Sequence, residues 1–347
     1  MTARHLHDAD RRIAVLCCTE AGRLERQSVL LCETIRRWAG RFADVPVYSF
    51  QPRRGPELAR KTRQRFAELG VMHLEGSLNV CVPGYGFGNK AHAAAFAEAF
   101  LDHDILVVMD SDMLVLAEPA EFDLPESVDL AIRPEPFKVA GTNDNDENVE
   151  MWDAFERHAG FGGPRRYVET VVSRERIRAY YNSGLIIARR TLGLMRRWHD
   201  LTESFATSGV VPQDSRAIFT EQYGLAMAIA TLGFEPQILP PTYNYGLPWH
   251  AQLPDGVRAG SLEDVVVAHY FHMLDLPGRG EPLGRVTGLR RTPRDAEIDA
   301  LIRATGVMPD PLTSPLRSAR VVGRERAAQL AKRLGVRRRY GAMLDAP

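Results

Sequence analysis

The first hundred residues alternate short apolar runs with amphipathic stretches of helical length, the pattern of βαβ units feeding a largely parallel sheet. Residues 13–17 read as a buried strand. Leu24, Leu31, Ile35 and Trp38 then recur at helical spacing, predicting a helix over 24–38. A second strand over 45–50, a helix over 57–69 ended by Gly70 and a third strand over 71–74 follow. A glycine-rich aromatic loop at 83–88 leads to Asn89, the expected N-cap of an alanine-rich helix over 90–101. Residues 105–109 form a continuous apolar run, as in strands buried on both faces. That run ends in Asp110-Ser111-Asp112, at the strand end where open α/β sheets bind ligands.

Beyond residue 112 the pattern becomes α+β. Strands are expected at 113–116, 128–132, 185–188 and 265–268, and helices at 192–205 and 221–232. The acidic stretch 143–150 lacks the glycine of a calcium loop and reads as a mobile, solvated segment on the acceptor side. No internal repeat or low-complexity tract interrupts the chain.

Composition narrows the class. With 347 residues, 45% hydrophobic and 25% charged, and 44 basic against 44 acidic side chains, this is an ordinary globular balance that excludes disorder and a small disulfide scaffold. No apolar run approaches the roughly 18 residues of a membrane-spanning helix, and the start is polar, so a cytoplasmic protein is expected. Cys17, Cys18, Cys32 and Cys81 lack zinc-type pairing and read as reduced thiols. From Arg285 onward thirteen arginines and Lys332 face six acids. A basic amphipathic helix from Gly323 is expected to pack on the domain, with contact to an anionic partner or the inner membrane face as the alternative. Nucleic-acid binding lacks support, because few aromatics interleave with these charges. Lysine is otherwise scarce, only Lys61, Lys90 and Lys138 preceding Lys332.

Four short features carry candidate chemistry. Asp110 and Asp112 occupy alternate positions, which in an extended strand project to one side and would offer two hard oxygen ligands to Mg²⁺ or Mn²⁺. His269, after the apolar run 265–268, adds an imidazole, with His272 competing for the role. The run 180–187 reads as a polar turn entering a strand, where Asn182 could place its amide in a sugar pocket or simply make the turn. At Thr220-Glu221-Gln222 a helix opens, where Thr220 can cap and the Glu221 carboxylate suits the positive helix end without any catalytic role.

Taken in chain order, Asp110 to Asp112, then Asn182 to Gly184, then Glu221-Gln222, then His269, the four features resemble the retaining GT-A glycosyltransferases of family 8, which include bacterial lipopolysaccharide galactosyltransferases and glycogenin. The likeness spans residues 12–275. It implies a GT-A α/β fold, with a mixed, mostly parallel sheet flanked by helices and a C-terminal helical extension. The domain would run over 12–282, divided into a nucleotide-binding half (12–112) and an acceptor and sugar half (113–282), with a basic helical tail over 283–347. The resemblance further implies that Asp110, Asp112 and His269 hold Mn²⁺ or Mg²⁺ on the diphosphate of a nucleotide sugar, a UDP-sugar first among the candidates. Cys18, Thr19 and Glu20 would border the nucleoside, with Ser111 alongside. Lys90 would meet phosphate or sugar, and Asn182, Glu221 and Gln222 would handle the donor sugar at the reactive face. The acceptor, whether glycan, lipid, small molecule or protein, is not specified.

The sequence departs from the family in two places. Glu221 stands where the family has Asp, and His269-Tyr270-Phe271-His272 lacks the lysine that follows the family's histidine, so Arg279 or Arg285 would have to replace it. Two alternatives stay open: a haloacid-dehalogenase-like phosphatase, whose Asp-x-Asp usually lies nearer the first strand, and a non-catalytic nucleotide-binding GT-A domain. The loop 84–90 matches neither a P-loop nor a dinucleotide fingerprint, because Asn89 stands where each needs glycine.

Overall fold

The structure is a computed structural model that describes residues 12–271, 273–275 and 288–307. Its centre is a seven-stranded sheet built from β1 (Ile13–Cys18), β2 (Val47–Gln51), β3 (Val71–Glu75), β4 (Ile105–Met109), β6 (Leu130–Pro134), β9 (Tyr181–Arg189) and β10 (Gln237–Ile238). The strand order is β10-β6-β9-β4-β1-β2-β3. Strand β9 runs antiparallel to both β4 and β6, and every other pairing is parallel, so the expected mixed, mostly parallel α/β architecture is observed. A second sheet joins β11 (Tyr245–Gly246), β12 (Val267–His269) and β5 (Met113–Val115), and β7 (Tyr167–Glu169) pairs with β8 (Arg176–Arg178).

Alternation along the strands divides the core. In β1 and β4, Ala14, Leu16, Leu106 and Val108 point to one face, against α3 (Asn89–Phe100), α4 (Val149–Ala159), α5 (Leu194–Ser208) and α6 (Thr220–Leu232). Ile13, Val15, Ile105 and Val107 point to the other, against α1 (Arg23–Trp38) and α2 (Arg60–Glu68). Helices cover both faces, so no polar position interrupts β4. A third cluster lies under the small sheet, where Leu114, Tyr245 and Ala268 meet Leu30 of α1 and Ile298, Leu301 and Ile302 of α7 (Pro293–Thr305).

Several local expectations change. Helix α3 begins at Asn89 itself, whose side chain does not cap it but donates to Glu20 Oε1 (2.8 Å) and accepts from Asn79 (2.9 Å). The stretch 143–150 is folded rather than solvated. Asp146 accepts from Thr142, Lys138 and the Asn143 and Asn148 amides, Asp144 accepts from Tyr167 and Arg178, and Asn148 is buried. Leu289, Ile298, Leu301, Ile302 and Val307, assigned above to the tail, are buried in the third core cluster, so this part of the segment belongs to the body of the fold. His272, Arg279, Arg285 and the helix expected from Gly323 lie outside the described residues. No helix among the described residues is long and apolar enough to cross a membrane.

Candidate functional site

The site forms where the carboxyl end of β4 meets the small sheet. Residues 110–112 make a turn between β4 and β5 rather than continuing the strand, so strand alternation is not what brings the two carboxylates together. Pairing of β5 with β12 is responsible. It sets Met113 opposite His269, and the Tyr270 amide donates to the Asp112 carbonyl (3.1 Å). Asp110, Asp112 and His269 each place a ligand atom within 4.8 Å of the others.

Hydrogen bonds determine which His269 nitrogen faces Asp112. The Gly184 amide donates to Asn182 Oδ1 (3.0 Å), which makes that atom the acceptor. Asn244 Nδ2 must therefore be the group donating to it (2.8 Å), which turns Asn244 Oδ1 toward His269 Nδ1 (2.9 Å). His269 thus donates from Nδ1, and a neutral ring presents the Nε2 lone pair to Asp112 Oδ1 at 3.1 Å. Two acceptors at that distance call for a proton or a cation between them. With the proton there the ring is an imidazolium donating from Nε2; burial alone would raise the Asp112 carboxyl, but that adjacent charge outweighs it and holds the group below the ordinary carboxylate range.

Lys90, in the first turn of α3, joins this cluster to a second one. Its Nζ lies 2.8 Å from Asp110 Oδ1 and 3.3 Å from Glu221 Oε1, and it donates to Ser183 Oγ at 2.9 Å. Ser183 in turn donates to Glu221 Oε1 (2.8 Å). Burial would favour loss of the lysine proton, but Asp110 and Glu221 reverse this and raise its pKa, so Lys90 stays charged. Burial pushes Glu221 up to about 7, with Lys90 opposing the shift and Asp110 adding to it. Glu221 Oε2 is buried without a hydrogen-bond partner, so helix-end electrostatics alone do not account for this residue. Nor does Thr220 cap α6. Its hydroxyl donates to the Ala217 carbonyl (2.7 Å), while the Glu221 amide donates to Tyr85 Oη (3.0 Å).

The segment 182–184 is a bulge in β9, not a turn leading into it. Ile132 pairs with Ile186 but the next residue, Arg133, pairs with Asn182, so one step on β6 answers four on β9. The bulge turns Asn182 and Ser183 into the site. Asn182 donates to Glu135 Oε1 (3.1 Å), which leaves at most one of its amide hydrogens for a ligand. Gln222 also lies within bonding reach of Glu135 and accepts from Tyr180 Oη (2.6 Å). Burial raises Glu135 to about 7, although Asn182 opposes the shift. A Cβ at Gly184 would stand 2.8 Å from both Asn182 Oδ1 and His269 Cε1. Gly184→Ala is therefore expected to displace His269 and Asn182 and to cost about 1–3 kcal/mol, read as a lower urea midpoint together with weaker Mn²⁺ binding. An unchanged midpoint and affinity would contradict this close approach.

The residues expected at the nucleoside differ in access. Cys18 is partly exposed at the end of β1, but Thr19 is fully buried beneath it, donating to Ser28 and accepting from Ser49 (both 2.7 Å), so its side chain braces the site instead of facing a ligand. Glu20 is clamped by Arg53 (2.5 and 2.7 Å) and Asn89. Ser111 is turned inward toward Gln27 of α1. Glu135, Asn244 and Tyr180 join the site without having been singled out in the sequence. Of these, Asn244 has a positive φ of 47°, a conformation asparagine tolerates better than most residues. The Phe271 ring stacks on His269 with centroids 3.5 Å apart, and a small cleft lined by Asn182, Asn244, Trp249 and Phe271 opens alongside.

The Rhodobacterales glycosyltransferase domain matches residues 15–233. No curated protein sequence matches the chain. Similar solved structures include the galactosyltransferase LgtC in complex with donor and acceptor sugar analogues, at 12% identity and TM-score 0.48 over 84% of this chain and 99% of that one. The glycosyltransferase GlyE of Streptococcus pneumoniae TIGR4 aligns at 13% identity and TM-score 0.46, covering 85% of this chain and 64% of that one. The bifunctional glycosyltransferase WbbM aligns at 12% and 0.46, covering 84% and 52%.

Proposed function

We propose that this chain, which belongs to the Rhodobacterales glycosyltransferase domain family, moves a sugar from a nucleotide-diphosphate sugar to an acceptor, with retention and with a divalent metal. The phosphatase reading of Asp110 and Asp112 falls with the membership, and the chain is a glycosyltransferase.

The observation that carries the metal-dependent reading is the meeting of Asp110, Asp112 and His269, with His269 Nε2 3.1 Å from an Asp112 carboxylate oxygen. Two hard oxygens and one imidazole suit Mn²⁺ or Mg²⁺. When bound, such an ion supplies charge neutralisation to the departing diphosphate. The chain's own residues prepare the rest. Asn244 fixes the His269 tautomer, and Lys90 holds Asp110 in place while adding positive charge where a diphosphate would lie. Tyr180 and Glu135 orient Gln222, and Glu135 orients Asn182, so both amides are set before the sugar arrives. Attack from the face of the leaving group needs no strong protein nucleophile, and Gln222 and Asn182 serve to position the sugar. Glu135 and Glu221, both raised to about 7, can hold or release a proton near neutrality. Phe271 and Trp249, beside Asn182, offer aromatic faces to an acceptor.

Melting curves with UDP, GDP, CDP and ADP, and with their sugars, each with and without Mn²⁺, test this reading. A uridine nucleotide is expected to stabilise only with metal, by about 2.7 kcal/mol at a hundred times its Kd. Absence of stabilisation by every nucleotide under every metal condition would defeat the proposal.

A further inference from the structure

We propose that His92, His199 and Glu203 form a second metal site, on the face where α3 packs against α5, and that it takes Zn²⁺ with the fourth coordination position left to water. His92 follows Lys90 by two positions, about 200° round the helix, so its side chain leaves α3 on the side away from the Asp110 cluster. The His92 and His199 rings meet edge to face with centroids 4.6 Å apart. Glu203 Oε1 lies 3.6 Å from His199 Nε2 and 3.9 Å from His92 Nδ1, and one ligand atom from each of the three residues falls within 4.8 Å of the others.

Two independent features point to a cation. The first is His92, which is only 3% exposed and whose two ring nitrogens are both buried without a hydrogen bond, although the Leu78 carbonyl lies nearby. Buried polar groups in folded proteins are almost always satisfied, and with the Leu78 carbonyl able to serve only one ring nitrogen, the other lacks a partner that a metal would supply.

The second is the set of contacts around His199. Its Nδ1 lies 2.9 Å from Asp200 Oδ1 and donates to it, which turns the Nε2 lone pair toward Glu203. A carboxylate holding the far nitrogen of an imidazole is the usual support for a zinc-bound histidine. His199 and Glu203 are one helical turn apart on α5, a spacing that lets both reach one ion. Two imidazoles and one carboxylate are a recognised zinc set, and ligand atoms at tetrahedral zinc lie about 3.3 Å apart, so closure asks for shifts that side-chain rotation can provide. Cys81, whose thiol hydrogen-bonds to Glu203, borders the cluster on its exposed side.

An ion here would tie α3, which carries Lys90, to α5, whose Trp198 indole donates to the Glu221 carbonyl (2.7 Å). It would thus brace the elements behind both residues.

The test uses tag-free full-length chain carrying Asp110→Asn and Asp112→Asn, stripped with chelator, so that the first site does not compete. Calorimetric titration with ZnCl₂ is expected to give one equivalent bound and a raised melting temperature, and Co²⁺ is expected to give the intense visible absorption of low-coordinate cobalt. Adding His199→Ala or Glu203→Gln, both at partly exposed positions, should weaken zinc binding by about 100-fold or more and abolish the cobalt bands, while the metal-free melting temperature and circular dichroism stay unchanged. Either absence of zinc binding in the background protein, or undiminished binding after both substitutions, would overturn the assignment.

Discussion

Asp112→Asn is expected to lower kcat/KM by about 10²–10³-fold while leaving the stability of the fold intact. The substitution keeps the shape of the side chain and removes its charge. In the native site Nε2 of His269 lies 3.1 Å from an Asp112 oxygen, an approach that needs a cation or a proton between the two atoms. An asparagine can rotate its NH₂ toward Nε2 of a neutral ring and keep a hydrogen bond there, so the variant fold loses little. What it loses is one of two hard, charged ligands and the charge that Asp112 contributes to the cluster. The proposed reaction depends on stabilising a departing diphosphate, so the loss falls on the transition state more than on the ground state. Steady-state kinetics over a Mn²⁺ series should show a higher metal requirement and a lower kcat at saturation, alongside an unchanged urea midpoint. A variant with kcat within twofold of wild type at every metal concentration would remove Asp112 from the metal-binding set.

The sequence made parts of this site legible because the relevant physics is local. A strand buried on both faces has to be continuously apolar, so residues 105–109 stand out, and the first polar residues after them have to lie at its end. His269 could be located by the same logic, from the apolar run before it. Residues whose place depends on a partner element were not legible. The bulge at 182–184 exists because β6 and β9 fall out of register, and no window of sequence contains both strands. Glu135 enters the site because Asn182 does, and Asn244 because it bridges Asn182 and His269. The polar stretch 143–150 gave the wrong expectation for a related reason. Its acids are neutralised by Lys138 and by Arg178, which comes from β8, and a composition-based reading counts the charge without seeing its partners. Asn89 and Thr220 each stand where a cap would serve, but Asn89 was drawn into a tertiary hydrogen bond with Asn79, and Thr220 bonds back to the Ala217 carbonyl three residues earlier.

Lys90→Met should be the most destabilising single change in the site, by about 3–5 kcal/mol at pH 8. The lysine ammonium is nearly buried, and it is the cation shared by Asp110 and Glu221. Methionine fills much the same volume but leaves two carboxylates facing each other with Ser183 as the remaining donor, the case in which removal of one member of a buried pair exposes the full desolvation penalty of the other. The penalty depends on pH in a definite direction. Glu221 has a folded-state pKa of about 7 against an ordinary value of 4.5. A carboxyl raised in this way contributes stability below its unfolded value, and that stability is lost as pH rises through the folded value. Without Lys90, which opposes the rise, the folded value moves higher still, so Glu221 stays protonated over a wider range. The deficit of the variant should therefore be largest at pH 8 and shrink on acidification toward pH 5, where a neutral Glu221 no longer needs the lysine. Urea unfolding of both proteins from pH 5 to pH 8 reads this directly. A deficit that is constant or grows toward acid would mean that Lys90 acts through Asp110 alone, and would detach Glu221 from the charge network on which the proposed reactive face is built.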